Sequence, residues 1–262
     1  MSGEPRILLV ADAAGTMADL IEHLAEVNRA GLSDWALIGG LAVMARLAES
    51  HRPTGDIDML SRQTDPPAKA TLLRIASEET TTGVRLKDGT KIDIIEVAPV
   101  LVLEDLPESN EQQKLFALAH WWMADTAEVV VLTLVDRDDD ERVRARLELR
   151  LARSAALVAA KLQSIPTRRG TTEGKRESDA YDVYRLLQAD RGAREIPNAL
   201  ATAPGELGEW CASSIEELFI VHATRTARWI SSVSPGETTE PGDIEALGSI
   251  FGEALRTAMN LP

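Results

Sequence analysis

Residues 35–58 read WALIGGLAVMARLAESHRPTGDID, and this stretch decides the fold. The apolar run 35–38 predicts a short strand. It ends in Gly39-Gly40, a pair that lets backbone N–H groups approach a phosphate closely. Asp56 and Asp58 follow, with one isoleucine between them. Because alternate side chains of a β-strand share a face, both carboxylates should point the same way while the isoleucine packs behind them.

A third acid lies on a later predicted strand. The run 91–97 reads as a strand, and Asp88-Gly89 before it is typical of a hairpin turn. Asp93 stands in the middle of that strand between isoleucines, where a carboxylate is costly unless it is paired or bound to a metal. Any one of these aspartates alone could be a solvated or capping residue. As an ordered set beside a glycine turn, they predict a site for hard divalent cations that hold a nucleoside triphosphate.

This order of parts resembles the nucleotidyltransferase superfamily that includes DNA polymerase beta. The family pattern is a Gly-Gly or Gly-Ser turn, a helix, an acid–apolar–acid strand and a third acid on a later strand. The sequence from Arg52 through Thr54 to Asp58 is most similar to that of the AbiEii branch, which includes the MenT-type toxins. Gly40 replaces the serine frequent in the superfamily, which removes one hydroxyl contact to a phosphate and keeps the backbone cradle.

A second block supports the same branch. Residues 154–162 read as a helix, a basic turn follows, and residues 175–187 read as another helix. Asp179 and Asp182 are three positions apart and therefore lie on one face of that helix. The block is similar to the lysine helix, arginine-containing turn and Asp-x-x-Asp helix of AbiEii-like enzymes. The resemblance implies that Lys161 and Asp182 complete the active site, with Asp179 as a capping or ion-pairing residue.

The resemblance also implies a reaction. An NTP would donate its nucleotidyl group with Mg²⁺ or Mn²⁺ held by Asp56, Asp58 and Asp93, the last of these also a candidate base. The phosphates would be bound by the two glycines, Arg52 and Lys161, while Thr54 either touches a phosphate or stabilises its turn. The implied acceptor is the 3′ end of tRNA, and the implied role is that of a toxin restrained by an antitoxin protein.

Two alternatives to this function stay open at this point. The first is a small cationic acceptor, as in the antibiotic (aminoglycoside-type) nucleotidyltransferases. The second is an inactive fold that serves as a nucleotide-binding or protein-interaction module. Against the second, three acids in costly positions have no reason to persist in a dead site.

Charge is distributed unevenly along the chain. The net charge is −14, yet residues 137–176 hold 11 Lys and Arg against 6 Asp and Glu, so this segment is +5 and the remainder −19. Residues 142–151 alternate apolar and mostly basic positions and pair with the apolar run 129–135 as a predicted hairpin. The basic positions are either the solvated face of an edge strand or a ladder that holds triphosphate or RNA. The candidate acceptor-binding residues are Arg144, Arg146, Arg150, Arg168 and Arg169.

These patterns predict an α/β fold: a small mixed, twisted sheet with helices packed against it, followed by a helical C-terminal region. We expect an N-terminal packing segment (1–34), a catalytic core (35–136) and a basic strand with helices that complete the site (137–262). In the C-terminal region the predicted core residues are Trp210, Leu218, Phe219 and Trp229.

Composition indicates a cytoplasmic protein. Apolar runs are too short to span a bilayer, and the N-terminus lacks the basic region and cleavage site of a secretory signal. The single cysteine, Cys211, cannot form an internal disulfide. We expect neither Cys211 nor His120 to act as a nucleophile or base, and we interpret His120 and the neighbouring Trp121-Trp122 as packing or interface residues.

Overall fold

The computed structural model describes residues 5–12, 15–106, 108, 110–139, 141–168, 174–234, 236 and 239–261. These residues form one mixed sheet of eight strands together with ten α-helices, which confirms the predicted α/β class. The chain divides into two compact units. The first comprises Met1–Val100 and Ala124–Arg153, and the second comprises Leu101–Met123 and Ser154–Pro262.

The sheet belongs to the first unit. Its strands are β1 (Arg6–Val10), β2 (Trp35–Ile38), β3 (Asp56–Ser61), β4 (Glu78–Glu79), β5 (Gly83–Arg85), β6 (Lys91–Glu96), β7 (Glu128–Val135) and β8 (Val143–Leu151). Their order across the sheet is β1-β7-β8-β2-β3-β6-β5-β4. The pairs β1–β7, β2–β8 and β3–β6 are parallel, and the remaining neighbours are antiparallel. Both predicted hairpins, β5–β6 and β7–β8, are therefore confirmed.

Strand β8 is an interior strand, so the interpretation of its basic side chains as the face of an edge strand was wrong. It lies between β7 and β2, and the strands at the two edges of the described sheet are β1 and β4. The N-terminal segment, expected to be a packing segment, contributes the strand β1, which pairs with β7. Strand β8 is interior because it pairs with β2 as well as with its hairpin partner β7, and β2 is more than a hundred residues away in sequence.

Three helices accompany the sheet in the first unit: α1 (Thr16–Arg29), α2 (Gly39–Leu47) and α3 (Ala68–Leu72). Helix α1 buries one apolar face, and Gly31 beyond its end has the left-handed φ of 86° that suits a glycine C-cap. Helix α2 is held by Arg46, whose guanidinium donates hydrogen bonds to the carbonyl oxygens of Leu151 and Ala152 and to Glu128. These bonds fix α2, and with it the glycine pair at its start, relative to the β7–β8 hairpin.

The second unit is helical. Its elements are a 3₁₀ turn (Leu103–Asp105), most of α4 (Glu111–Thr126), α5 (Ser154–Thr167), α6 (Lys175–Ala189), α7 (Glu195–Leu200), α8 (Leu207–Ile215), a π-helical segment (Glu216–Val221), α9 (Ala223–Val233) and α10 (Pro241–Ala258). Leu218 and Phe219 are buried as predicted. Trp210 and Trp229 are only half-buried, so their assignment to the core was wrong. None of the helices in the described part of the chain combines the length and apolarity that a bilayer-spanning helix requires.

Candidate active site

The three predicted metal-binding aspartates come together in the first unit. Asp58 on β3 and Asp93 on β6 are register partners of two parallel strands, and Asp56 lies two residues before Asp58 on the same face. One carboxylate oxygen from each lies within 4.8 Å of the others, and all three side chains are half-buried. Ile57 is fully buried behind them. The strand alternation inferred from the sequence is therefore what collects the carboxylates.

Gly39 is required by the carboxylate site itself. It is the first residue of α2 and has a φ of 69°, a left-handed conformation that only glycine adopts at little cost. A Cβ atom at this position would overlap the carboxylate of Asp58. The sequence interpretation assigned this glycine to phosphate binding alone. The structure adds that it makes room for an aspartate of the cluster.

Gly40 accommodates a different pair of side chains. A Cβ atom there would stand 2.7 Å from Arg52 Nη2 and 2.9 Å from Thr54 Oγ1, so both predicted phosphate-binding side chains lie over this glycine. Thr54 is buried, and its hydroxyl lies 3.5 Å from Asp56 Oδ1. Next to these residues lies a cavity of about 260 Å³, lined by Asp12, Thr16, Met17, Met44, Ser50, His51, Arg52, Pro53 and Thr54.

Two residues that the sequence interpretation missed contact Asp93. Lys91 Nζ lies 2.7 Å from Asp93 Oδ2, and the hydroxyl of Thr82 donates a hydrogen bond to Oδ1. Lys91 is also the register partner of Asp56, so its ammonium belongs to the carboxylate cluster. The signal was present in the sequence, because a residue two positions before Asp93 on a strand shares its face. Thr82 carried no such signal, because its contact with Asp93 depends on the pairing of β5 with β6.

Lys161 and Asp182, which the family resemblance singled out, form a buried ionic cluster in the second unit. Lys161 Nζ lies 2.6 Å from Asp182 Oδ2 and 2.8 Å from Asp179 Oδ1. Asp182 is fully buried and Lys161 is only 8% exposed. Helices α5 and α6 present these side chains to each other, and a salt bridge so far from water is stable only with good geometry and further hydrogen bonds.

Asp179 makes the additional contacts that this cluster needs. Its Oδ2 accepts a hydrogen bond from the Ser164 hydroxyl at 2.8 Å and lies 3.1 Å from Arg168 Nε. The ion-pairing role expected of Asp179 is therefore confirmed, although Asp182 pairs with the same lysine. Ser164 was missed, yet it stands three residues after Lys161 on α5, the spacing that places two side chains on one helical face.

The candidate acceptor arginines differ in how far their charge is already engaged. Arg144 donates two hydrogen bonds to Glu22, and Arg150 donates to Asp34 and to the carbonyl of Ala124. Arg146 makes no hydrogen bond or ion pair with the described residues, and Arg168 pairs with Asp179. Arg169 lies outside the described residues. The strand register places Arg146 and Arg150 on the same face of the sheet as Asp56 and Asp58.

The cysteine and the α4 histidine are buried in the second unit. Burial lowers the pKa of His120 to about 4, and its Nδ1 donates a hydrogen bond to the carbonyl of Phe116. Burial raises the pKa of the Cys211 thiol, which therefore stays protonated. A neutral imidazole and a protonated thiol without access to solvent suit packing and leave the acid chemistry to the aspartates.

Comparison with known proteins decides the family. The family described as "Nucleotidyl transferase AbiEii toxin, Type IV TA system" matches residues 23–210, which is well over half of the chain. The chain belongs to the AbiEii family. It is therefore a nucleotidyltransferase of the kind that acts as the toxin in toxin–antitoxin pairs. The match includes both the aspartate cluster and the Lys161 cluster.

A solved structure is similar to this AbiEii-family chain as well. It is the crystal structure of an antigenic nucleotidyltransferase-like protein from Paracoccidioides brasiliensis, with a TM-score of 0.45 and 14% sequence identity over 84% of this chain and 97% of the other. No curated protein matches the chain significantly.

Proposed function

We propose that this nucleotidyltransferase is metal-dependent and transfers a nucleotidyl group from an NTP to the 3′ end of tRNA. The observation that carries the metal dependence is the cluster of three carboxylate oxygens within 4.8 Å of one another at the start of α2. The acceptor is proposed from the AbiEii resemblance and from the basic side chains of the chain. In a toxin–antitoxin pair, this transfer would arrest translation until an antitoxin protein restrains the enzyme.

The residues at the cluster fit Mg²⁺ or Mn²⁺. Hard divalent cations prefer oxygen ligands, and Asp56, Asp58 and Asp93 supply them from two adjacent strands of fixed register. Bound divalent ions would neutralise the triphosphate and lower the pKa of the attacking hydroxyl. Asp93 has a second task in this proposal, as the base that would accept the proton of that hydroxyl. Thr82 and Lys91 hold its orientation.

The phosphates would be bound by the start of α2. Backbone N–H groups at a helix N-terminus point towards an anion, and the helix dipole favours negative charge there. Arg52 and Thr54 lie over Gly40 and would add a guanidinium and a hydroxyl to the same binding site. The adjoining cavity of about 260 Å³ is smaller than the roughly 300–1,000 Å³ of typical ligand pockets, so it would hold only part of a nucleotide.

Lys161 and Asp182 are proposed to act mainly on the transition state. If so, Lys161→Ala and Asp182→Ala lower turnover more than nucleotide affinity. Their ion pair also contributes to the stability of the second unit, because each charged group would be costly to bury alone.

A small cationic acceptor is the second candidate, and one observation favours it. Outside residues 137–176 the chain carries a net charge of −19, which would attract a polycationic antibiotic.

Two of the predicted ladder arginines, Arg144 and Arg150, already pair with carboxylates. Exposed pairs of this kind are weak and exchange partners readily, so the pairs do not remove these arginines from an RNA site.

One experiment separates the acceptors. The protein is incubated with each α-labelled NTP, Mg²⁺, total tRNA and an aminoglycoside panel, and the labelled product is identified. We expect label on tRNA, with loss of at least about a thousandfold in rate for Asp58→Asn, since metal stabilisation of the transition state is worth several kcal/mol. Cys211→Ala is the control and should keep the rate.

The outcomes are distinct. Label on an antibiotic alone would replace the tRNA proposal and keep the metal mechanism. Full activity of Asp58→Asn would contradict the assignment of the aspartate cluster as the active site.

A further inference from the structure

A basic surface in the second unit has no place in the proposed chemistry. Helix α9 carries Arg225, Arg228 and Trp229, which share one helical face because they are three and four residues apart. The N-terminal turn of α6 adds Lys175 and Arg176. We call these five residues the α6–α9 patch. Helix α9 contains no acidic residue, in a chain whose net charge is −14.

Trp229 organises two of the arginines. The guanidinium carbon of Arg176 lies 4.5 Å from the centroid of the Trp229 ring, and that of Arg225 lies 5.0 Å from it. Both distances are within the range of a cation–π contact. A guanidinium stacked on an aromatic ring keeps its N–H donors in its own plane, so the contact fixes the group without using its hydrogen bonds.

Two arginines of the patch, Arg225 and Arg228, form no ion pair with the described residues. The other two basic side chains are engaged: Arg176 pairs with Glu177 at 2.8 Å, and Lys175 also has an interaction partner. Arg225 and Arg228 thus differ from Arg144 and Arg150 of the predicted arginine ladder, which pair with Glu22 and Asp34.

We propose that the α6–α9 patch binds the sugar-phosphate backbone of a single-stranded RNA, as a docking surface for the acceptor. Arginine guanidinium groups match phosphate oxygens in a bidentate geometry, and grooves for single strands combine basic and aromatic side chains in this way. Arg176 stands three residues before Asp179 on α6, about 4.5 Å along the helix axis. A strand held at the patch therefore runs close to the Lys161 cluster of the same unit. This inference rests on the proposed function only for the identity of the RNA as acceptor.

The test measures RNA binding without catalysis. A short, fluorescently labelled single-stranded RNA that ends in CCA is titrated with the full-length protein in EDTA, without NTP, over about 50 to 300 mM KCl. For Arg225→Gln/Arg228→Gln we expect weaker binding and a salt dependence flatter by about 1.4 in slope, since each single-strand phosphate contact contributes about 0.7. The matched control, Arg191→Gln/Arg194→Gln, removes the same charge from exposed positions of the same unit and should bind like the wild type.

Arg228→Gln alone covers the case in which the double variant does not fold, because Arg228 is exposed and takes no part in the stacking. It should flatten the slope by about 0.7. Wild-type affinity and slope in both variants would overturn the proposal. Displacement of the RNA by equimolar polyglutamate would also overturn it, in favour of an acidic protein partner.

The nucleotidyl transfer assay distinguishes a failure of this RNA-binding proposal from a failure of the proposed function. Asp58→Asn should retain full RNA binding while losing transfer. Patch-dependent binding without transfer to any RNA would contradict the function alone, and transfer with unchanged RNA binding by the patch variants would contradict the patch alone.

Discussion

The molecule contains two aspartate clusters, one in each unit. In both, the spacing of two aspartates along the chain places them on one face of their element, but the clusters differ in burial and in their charge partners. Asp56 and Asp58 are two apart on a strand, whereas Asp179 and Asp182 are three apart on a helix, so each pair shares a face. The strand cluster gathers three half-buried carboxylates within 4.8 Å. The helical cluster gathers two buried carboxylates around the single ammonium of Lys161.

Because of this difference, the two clusters are able to bind different partners. Half-buried carboxylates of like charge repel one another, and solvent or a divalent cation can reach them to offset that repulsion. In the helical cluster Lys161 and Arg168 already offset the charge of the two aspartates, so no added ion is needed there. The first cluster, in which Lys91 contacts one of the three half-buried carboxylates, is therefore the one suited to take an added cation, and the second is balanced by its own side chains.

The largest expected effect is on the free energy of unfolding, and its size differs between the two clusters. Lys161→Met should lower the free energy of unfolding by about 3–5 kcal/mol, because it leaves buried carboxylates without their ammonium. Asp58→Asn should change it by less than about 1 kcal/mol in the absence of metal, since the site is half-exposed and loses a like charge. Urea unfolding in EDTA measures both.

Lys114→Met is the matched control for the lysine. Lys114 pairs with the exposed Glu206, and loss of such a surface pair should cost no more than about 1 kcal/mol. Equal destabilisation by the Lys161 and Lys114 variants would contradict the view that burial distinguishes the helical cluster.

A smaller effect is expected at the glycine pair beside the strand cluster. Gly39→Ala should cost about 1–3 kcal/mol, because it combines a left-handed φ with overlap against Asp58. Gly40→Ala should cost less, since the atoms it would meet belong to the ends of the Arg52 and Thr54 side chains, which can move. Thermal unfolding compares the two. A larger loss for Gly40→Ala would mean that the positions of Arg52 and Thr54 are the more tightly fixed.

The sequence predicted those features that depend on local periodicity. The glycine pair, the alternation around Asp58 and the two hairpins needed only strand and turn rules. The interior position of β8 was out of reach, because it depends on the pairing of β8 with β2, more than a hundred residues apart in sequence. Trp229 was predicted as a core residue but contacts two arginines instead. Arg225 lies four residues before it on the same helix, whereas the contact with Arg176 depends on the packing of α6 against α9 and could not be predicted from spacing.

The smallest expected effect is on metal affinity at Lys91. Its ammonium lies 2.7 Å from Asp93 Oδ2, so a divalent cation at the cluster must bind next to an existing positive charge. Two positive charges on the ion and one on Lys91 repel by about 1 kcal/mol at some 6–8 Å in water, which corresponds to roughly fivefold in affinity.

Lys91→Met should therefore tighten Mn²⁺ binding by about fivefold in calorimetric titrations without NTP. Lys87→Met, which removes the same charge from the exposed hairpin turn, is the control and should leave the affinity nearly unchanged. Weaker binding by Lys91→Met would show that holding Asp93 in place outweighs the repulsion. The strand cluster would then resemble the helical one, because in both a lysine of the chain would hold the carboxylates in position.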